Sequence, residues 1–339
     1  MKSRLDYNYT VNECDILDKS KGEAFREKRR QWLEWLNGDD PHSICRQIYS
    51  MLWDHALFTV VNELRRIAIE EPQTGIGFNS SVIRLFDTGF VTTQSTKIRR
   101  LIEKPKSNPK SAVISLRRVL KDISDNASIL TRENLVCYDG LPYDYDEVHR
   151  KWLASLPVTE DGIHCGSLAF QGPDAWAASE IVHKHFDILA QKNPHERTRG
   201  DMVKQQVFEN LESQIQKCDH VKTYVDKFIA HAAAPETREH LQTEEEAMTL
   251  ERLEACCRAL YCVASFISGS LLWESSLGGL PVPQFDHLKD IEKRWVSPGN
   301  VGKARETWRA FEKQVAGWGS TDIWPEGFVR DQQSCGITI

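Results

Sequence analysis

No stretch of this chain stays apolar for the roughly 18 residues that a membrane-spanning helix needs. The longest such stretch, Leu260 to Trp273, is interrupted by Ser265, Ser268, Gly269 and Ser270. The N-terminus, Met1-Lys2-Ser3-Arg4-Leu5-Asp6, lacks the apolar centre of a secretory signal. There is no CxxC pair among the nine cysteines. That absence removes the common zinc frameworks, and the odd count points to reduced thiols in a cytoplasmic protein. Cys256 and Cys257 are neighbours, but on a helix adjacent side chains diverge by about 100°, so they read as small buried residues rather than a shared ligand pair. An excess of positive charge is missing too: the formal net charge is −6. Generalised electrostatic attraction to nucleic acid is therefore excluded, although a local patch is not. The most basic region, 97–121, carries Arg99, Arg100, Lys104, Lys106, Lys110, Arg117, Arg118 and Lys121. It reads as a solvated helix face followed by a loop. Strand signals are few, and no repeat of roughly 20–50 residues is evident.

What the chain does have is helical periodicity. Phe25, Trp32 and Leu36 share one face in 18–37. Tyr49, Trp53, Leu57, Val60, Leu64 and Ile67 step by three and four through 42–69. Residues 78–102 carry Phe78, Val82, Leu85, Phe86, Ile98 and Leu101. Two prolines between Lys104 and Pro109 end that helix. Leu116, Val119, Leu120 and Ile123 mark the next one. Residues 126–173 change character. Tyr138-Asp139-Gly140-Leu141-Pro142-Tyr143-Asp144-Tyr145 is rich in turn formers, and Gly162, Gly166, Gly172 and Pro173 follow. This predicts an irregular insertion with a short helix near 148–156. Asp174 is expected to cap a helix running to Gln191.

A long amphipathic helix is expected from Gly200-Asp201 to near Ala234-Pro235. Its stripe is Val207, Leu211, Ile215, Cys218, Val221, Val225, Phe228 and Ala232. Thr243-Glu244-Glu245-Glu246 is a capping box for a further helix to Trp273, with Leu253, Cys257, Leu260, Val263, Ile267 and Leu271 inward. A last helix uses Ala304, Trp308, Phe311, Val315 and Trp318. The expected fold class is all-α: an antiparallel helical bundle with a long irregular insertion and a C-terminal helical extension. The expected divisions are 1–40, 41–275 (containing the 126–200 insertion) and 276–339.

The candidate site lies at the end of the long helix. His231 stands off the apolar stripe and shares a face with Tyr224 and Lys227. Asp226 is positioned to pair with Lys222, four residues earlier. Other constellations carry less. His183 and His185 point about 200° apart on a helix and cannot share an ion. Thr74-Gly75-Ile76-Gly77 lacks the lysine of a phosphate loop. His164-Cys165 is a weak nucleophile–base pair. His195, Arg197 and Arg199 would supply a cation to the motif helix only if their loop folds back. Trp32-Leu33-Glu34-Trp35-Leu36 reads as a docking face for the first helix. No metal and no cofactor is expected.

Asp226-Lys227-Phe228-Ile229-Ala230-His231, ending its helix, resembles the motif helix of the HEPN superfamily (higher-eukaryotes-and-prokaryotes nucleotide-binding), and more narrowly its abortive-infection (AbiU-like) branch. Ile98-Arg99-Arg100-Leu101-Ile102 followed by Val113-Ile114-Ser115-Leu116-Arg117-Arg118-Val119-Leu120 is similar to that branch's second and third helices. Val282-Pro283-Gln284-Phe285-Asp286-His287-Leu288 and the helix to Trp318 are similar to its C-terminal segment. The resemblance leaves out the first 40 residues and the insertion. It implies a helical, usually homodimeric protein of a prokaryotic defence or stress system that binds RNA, a nucleotide or a protein partner. Active members are metal-independent RNases with an arginine shortly before the histidine. Histidine moves the proton of the attacking 2′-OH, and arginine stabilises the phosphorane charge. In this chain Tyr224, Val225 and Asp226 occupy the arginine's spacing, so the motif lacks it. The resemblance then implies site residues His231, Lys227 and Asp226 and a binding role. The alternatives are an active ribonuclease, in which Lys227 or a distant arginine supplies the cation, and a purely structural or regulatory protein.

Overall fold

The structure is a computed structural model of the chain. It describes residues 6–70, 80–105, 113–157, 166–230, 248–274, 276–279, 286, 288–291 and 301–318. The described residues are helical, and the one β feature among them is an isolated bridge between Thr131 and Met202. The all-α expectation holds. No described helix is long and apolar enough to cross a membrane.

The chain divides into two compact units, Met1–Pro281 and Val282–Ile339. In the first, α1 (Lys19–Asn37) begins at Asp18, whose carboxylate accepts from Lys21 N. Phe25, Trp32 and Leu36 are buried on its inner face, and Trp32 Nε1 donates to Asp122 at 2.6 Å. α1 packs on α2 (Ile44–Glu70), α4 (Leu116–Asp125) and α5 (Arg132–Cys137). The docking role of the Trp32–Leu36 segment is therefore realised. Ser115 caps α4, and Leu116, Val119, Leu120 and Ile123 are all buried.

α10 (Leu250–Phe266) lies at the centre of this unit, in contact with α2, α3 (Ser80–Leu101) and α8 (Gln205–Gln216). Leu253, Cys257, Leu260 and Val263 are buried on it, as are Ile267 and Leu271 in the π turn that follows. Its described start differs from expectation. Thr249 is the cap, accepting from Arg252 N, while Thr243–Glu246 lie outside the described residues.

The apolar patterns of α2 and α3 are only partly used. Burial on α2 is confined to Ile44–Met51, and Ile67 is exposed. On α3, Leu85 and Phe86 are exposed, whereas Phe90, Ile98 and Leu101 are buried. Periodicity requires that apolar side chains share a face; it does not require that every turn of that face find a partner.

In the 126–200 region the two expected helices, near 148–156 and running to Gln191, are present, and a short further helix and two turns add to them. The region contains α5, α6 (Tyr145–Ser155), α7 (Trp176–Ala190) and two short 3-10 turns. α7 starts from Ala175, with no side-chain cap from Asp174. What organises the region is charge. Arg132 is fully buried and sits between Asp187 Oδ1 (2.9 Å) and Asp201 Oδ2 (3.0 Å), and its Nη1 donates to the His183 carbonyl. Arg197 binds the same Asp187 and the Tyr145 hydroxyl, while Arg199 binds Glu133 and Asp15. Gly140 and Gly172 have positive φ and both lie against Tyr9, where a Cβ would collide with its ring or hydroxyl.

In the second unit the described helix is α11 (Val301–Trp318), with Trp308, Phe311 and Val315 exposed.

Candidate functional site

The expected long helix is broken. α8 ends at Gln216, Lys217-Cys218 form a turn, and α9 (Asp219–Tyr224) runs into a π turn at Val225–Ile229, closed by Ala230 N donating to Val225 O at 2.7 Å. The apolar stripe survives the break: Leu211, Ile215, Cys218, Val221 and Val225 are buried. Phe228 departs from it and is 41% exposed, with its ring 5.3 Å from that of Tyr224. A π turn takes one more residue per turn than an α-helix, so the three-and-four count loses register there. π turns of this kind recur at functional sites.

Asp226 sits between two cations. Lys222 Nζ donates to its Oδ2 at 2.7 Å, the pair the spacing predicts. Arg99 Nε, from the last turn of α3, donates to its Oδ1 at 2.8 Å. Partial burial works against ionising this carboxyl, but Lys222 and Arg99 outweigh it and hold Asp226 below the usual carboxylate range. Lys227 is half-buried beside it. Val225 faces the core, so an arginine at that position would be driven into apolar packing. His231 lies outside the described residues, as do Thr74–Gly77, His164 and Cys165.

Arg99 also lines a cavity of about 410 Å³ together with Arg100, His42, Gln47, Asp40, Glu103, Val113 and Ile114. Gln47 Nε2 donates to the His42 carbonyl and fixes that corner. Glu103 Oε2 is shielded from solvent and has no hydrogen-bond partner among the described residues. The cavity thus offers two guanidinium groups and an imidazole, two carboxylates, and an apolar wall. It has the donor set for a phosphate and the acceptor set for a base amino group.

The basic segment is the expected solvated face only in part: Arg100, Lys104 and Lys121 are exposed, but Arg117 is not. Arg117 is buried, with Glu212 and Asp219 at 3.1 and 2.9 Å, and it donates to the Ile102 carbonyl. The Arg118 guanidinium lies 4.2 Å from the Trp35 ring centre, and Lys121 pairs with Asp125. Lys106 and Lys110 lie outside the described residues. Arg197 and Arg199 turn to Asp187, Glu133 and Asp15, so they do not supply the missing cation; His195 lies in the 3-10 turn Pro194–Glu196. Arg99 does bring a guanidinium to Asp226, and sequence spacing could not show it, because the pair spans 127 positions. His183 and His185 diverge as expected: one bonds the Tyr143 carbonyl, the other the Ser270 carbonyl. Among the described residues, no cluster of three or more His, Cys, Asp or Glu side chains is arranged to hold a metal ion.

Comparison of the chain with protein-family models, with curated proteins and with solved structures gives no match in any of the three. The functional reading therefore rests on the residues of the site.

Proposed function

We propose that this chain is a HEPN-like nucleotide- or RNA-binding protein of a prokaryotic defence or stress system, acting in the cytoplasm as a homodimer. Its binding face would run from the motif helix across Arg99 into the adjoining cavity. One observation carries this reading: Arg99 brings a guanidinium to Asp226, on the helix whose own arginine is missing, and lines a cavity with Arg100 and His42. A ribose-phosphate would meet Arg99, Arg100 and Lys227, and a base amino group would meet Asp40, the exposed carboxylate of the cavity.

Binding is favoured over cleavage for an electrostatic reason. A cation that stabilises a phosphorane must present uncompensated charge at that point. Arg99 is held, together with Lys222, on Asp226, so its Nε is aimed at that carboxylate rather than at a reacting phosphate. The test is fluorescence anisotropy with short single-stranded RNA at low and high salt. Affinity should fall steeply with salt and by roughly tenfold in Arg99→Ala or Arg100→Ala. Unchanged binding in both variants would remove this site from the proposal. The ribonuclease alternative predicts metal-free cleavage to 2′,3′-cyclic phosphate ends, abolished in His231→Ala; RNA left intact by the purified protein rejects it.

A further inference from the structure

On α11 every residue from Val301 to Val315 is exposed, yet its apolar side chains are ordered. Val301, Ala304, Trp308, Phe311 and Val315 follow one another at steps of three, four, three and four, the a and d positions of a heptad. This seam faces solvent: Trp308 is 67% exposed, and Val301, Phe311 and Val315 are exposed with it. A helix draws most of its stability from packing its apolar face, and a contiguous exposed seam with two large aromatics marks an interaction surface.

The residues bordering the seam say what covers it. Arg305 and Glu312 stand at the e positions, one heptad apart, and Thr307 and Gln314, both uncharged, stand at the g positions. Glu312 is drawn to the edge of the seam, since its Oε1 accepts from Trp308 Nε1 at 2.7 Å. One flank is therefore complementary to itself. Two copies of this helix lying antiparallel, about a two-fold axis between Arg309 and Ala310, would set Trp308 of each against Phe311 of the other. Ala304 would meet Val315, and Arg305 would meet Glu312 twice. A parallel pair would instead crowd Trp308 on Trp308 and leave both e positions opposite uncharged g positions. A bilayer fits less well. Helices that lie on anionic lipid carry Lys and Arg beside the apolar face, not an acid and a base in register.

We propose that α11 pairs antiparallel with the same helix of a second copy of this chain, with Trp308 and Phe311 at the centre of the contact and Arg305–Glu312 ion pairs on one flank. The proposal rests on the homodimer part of the preceding reading, for which it supplies a surface, and not on the RNA site.

Sedimentation velocity of the full-length 38.9 kDa chain, from about 1 to about 100 µM, should show a species of twice that mass. Trp308→Glu should raise the dimer dissociation constant about tenfold or more, with helix content by circular dichroism unchanged. Arg305→Glu and Glu312→Arg each set like charges opposite one another, and each should weaken the dimer roughly tenfold. Mixed together, these two variants should associate as wild type does, because each supplies the charge the other lacks. Should Trp308→Glu lose helix content, the charge variants decide. A wild-type chain that stays monomeric throughout the range overturns the proposal, and so does a dimer that folded Trp308→Glu leaves intact. A mixture of the charge variants that stays as weak as each alone overturns the antiparallel pairing. Monomeric protein that binds phosphatidylserine vesicles through Trp308 gives the face to a membrane and also overturns it. RNA anisotropy plays no part here, so failure of the RNA site and failure of this pairing register in different measurements.

Discussion

Two arginine–aspartate constellations in this molecule differ chiefly in their exposure to solvent. Around Arg132 the charges are sealed off: Arg132 is 0% exposed, and the side chains of Asp201 and Asp187 are 5% and 13% exposed. Around Asp226 they are half in solvent, with Arg99 and Asp226 at 33% and 29%. The bond lengths are nearly the same, so geometry does not separate them. Solvent does. A buried guanidinium cannot be left unpaired, so the first constellation fixes the fold. A solvated pair contributes little to stability and can exchange partners with a ligand, which fits a binding surface.

The largest expected effect follows from deleting the buried cation. Arg132→Met leaves Asp201 and Asp187 in low dielectric with fewer partners. It should lower unfolding stability by about 3–5 kcal/mol, read as a shift in the urea midpoint. A loss under about 1 kcal/mol would erase the distinction between the two regions.

Acid should find the same region next. His183 is buried between Tyr143 and Arg132, and desolvation first, then Arg132, depresses it to about 4. Its folded value is below its unfolded one, so the unfolded chain binds the proton more readily. Stability contributed by neutral His183 is full above about pH 6.5, where the unfolded imidazole is also neutral, and declines until the folded ring protonates near pH 4. The loss over that window is on the order of 2–3 kcal/mol. Further acid adds Asp187 and Asp201. Burial raises both, but Arg197 outweighs it at Asp187, and Thr198 and then Arg132 outweigh it at Asp201, leaving both below normal. Their stabilisation is present above the unfolded carboxyl range and fades as pH falls below it. Melting temperature against pH in His183→Gln should lack the decline between pH 6.5 and 4; a curve parallel to wild type would assign it elsewhere.

At the exposed pair the expected changes are smaller and of another kind. Arg99→Ala should cost no more than about 1 kcal/mol of stability while weakening RNA binding. A variant that unfolds the protein would make Arg99 part of the scaffold. The smallest effect is the coupling itself. A double-mutant cycle with Arg99→Ala and Asp226→Asn should return about 0.5 kcal/mol, diminishing in high salt.

The same divide decides what could be read from the chain beforehand. α1, α4 and α10 were legible because Phe25–Trp32–Leu36, Leu116–Val119–Leu120–Ile123 and Leu253–Cys257–Leu260 each repeat one local period and are all buried. The Lys222–Asp226 pair was legible because four residues span one helical turn. In the 126–200 region the helices near 148–156 and running to Gln191 were legible, but what ties them together was not. The region's organising side chains, Asp15, Arg132, Glu133, Asp187, Arg197, Arg199 and Asp201, follow no apolar period and meet across long separations. Nor could the contact of Cys218 with Cys256 be seen, since 38 positions separate them.

The sequence by itself determined that this is a helical protein, where most helices start, and which residue would pair with Asp226 from its own turn. These follow from backbone geometry within a few residues. Only the tertiary structure decided that Arg99 reaches Asp226, that Arg132 is buried while Phe228 is not, and that Cys218 lies against the Cys256 carbonyl. Those outcomes depend on which distant surfaces exclude water from each other, and short-range periodicity carries no information about that.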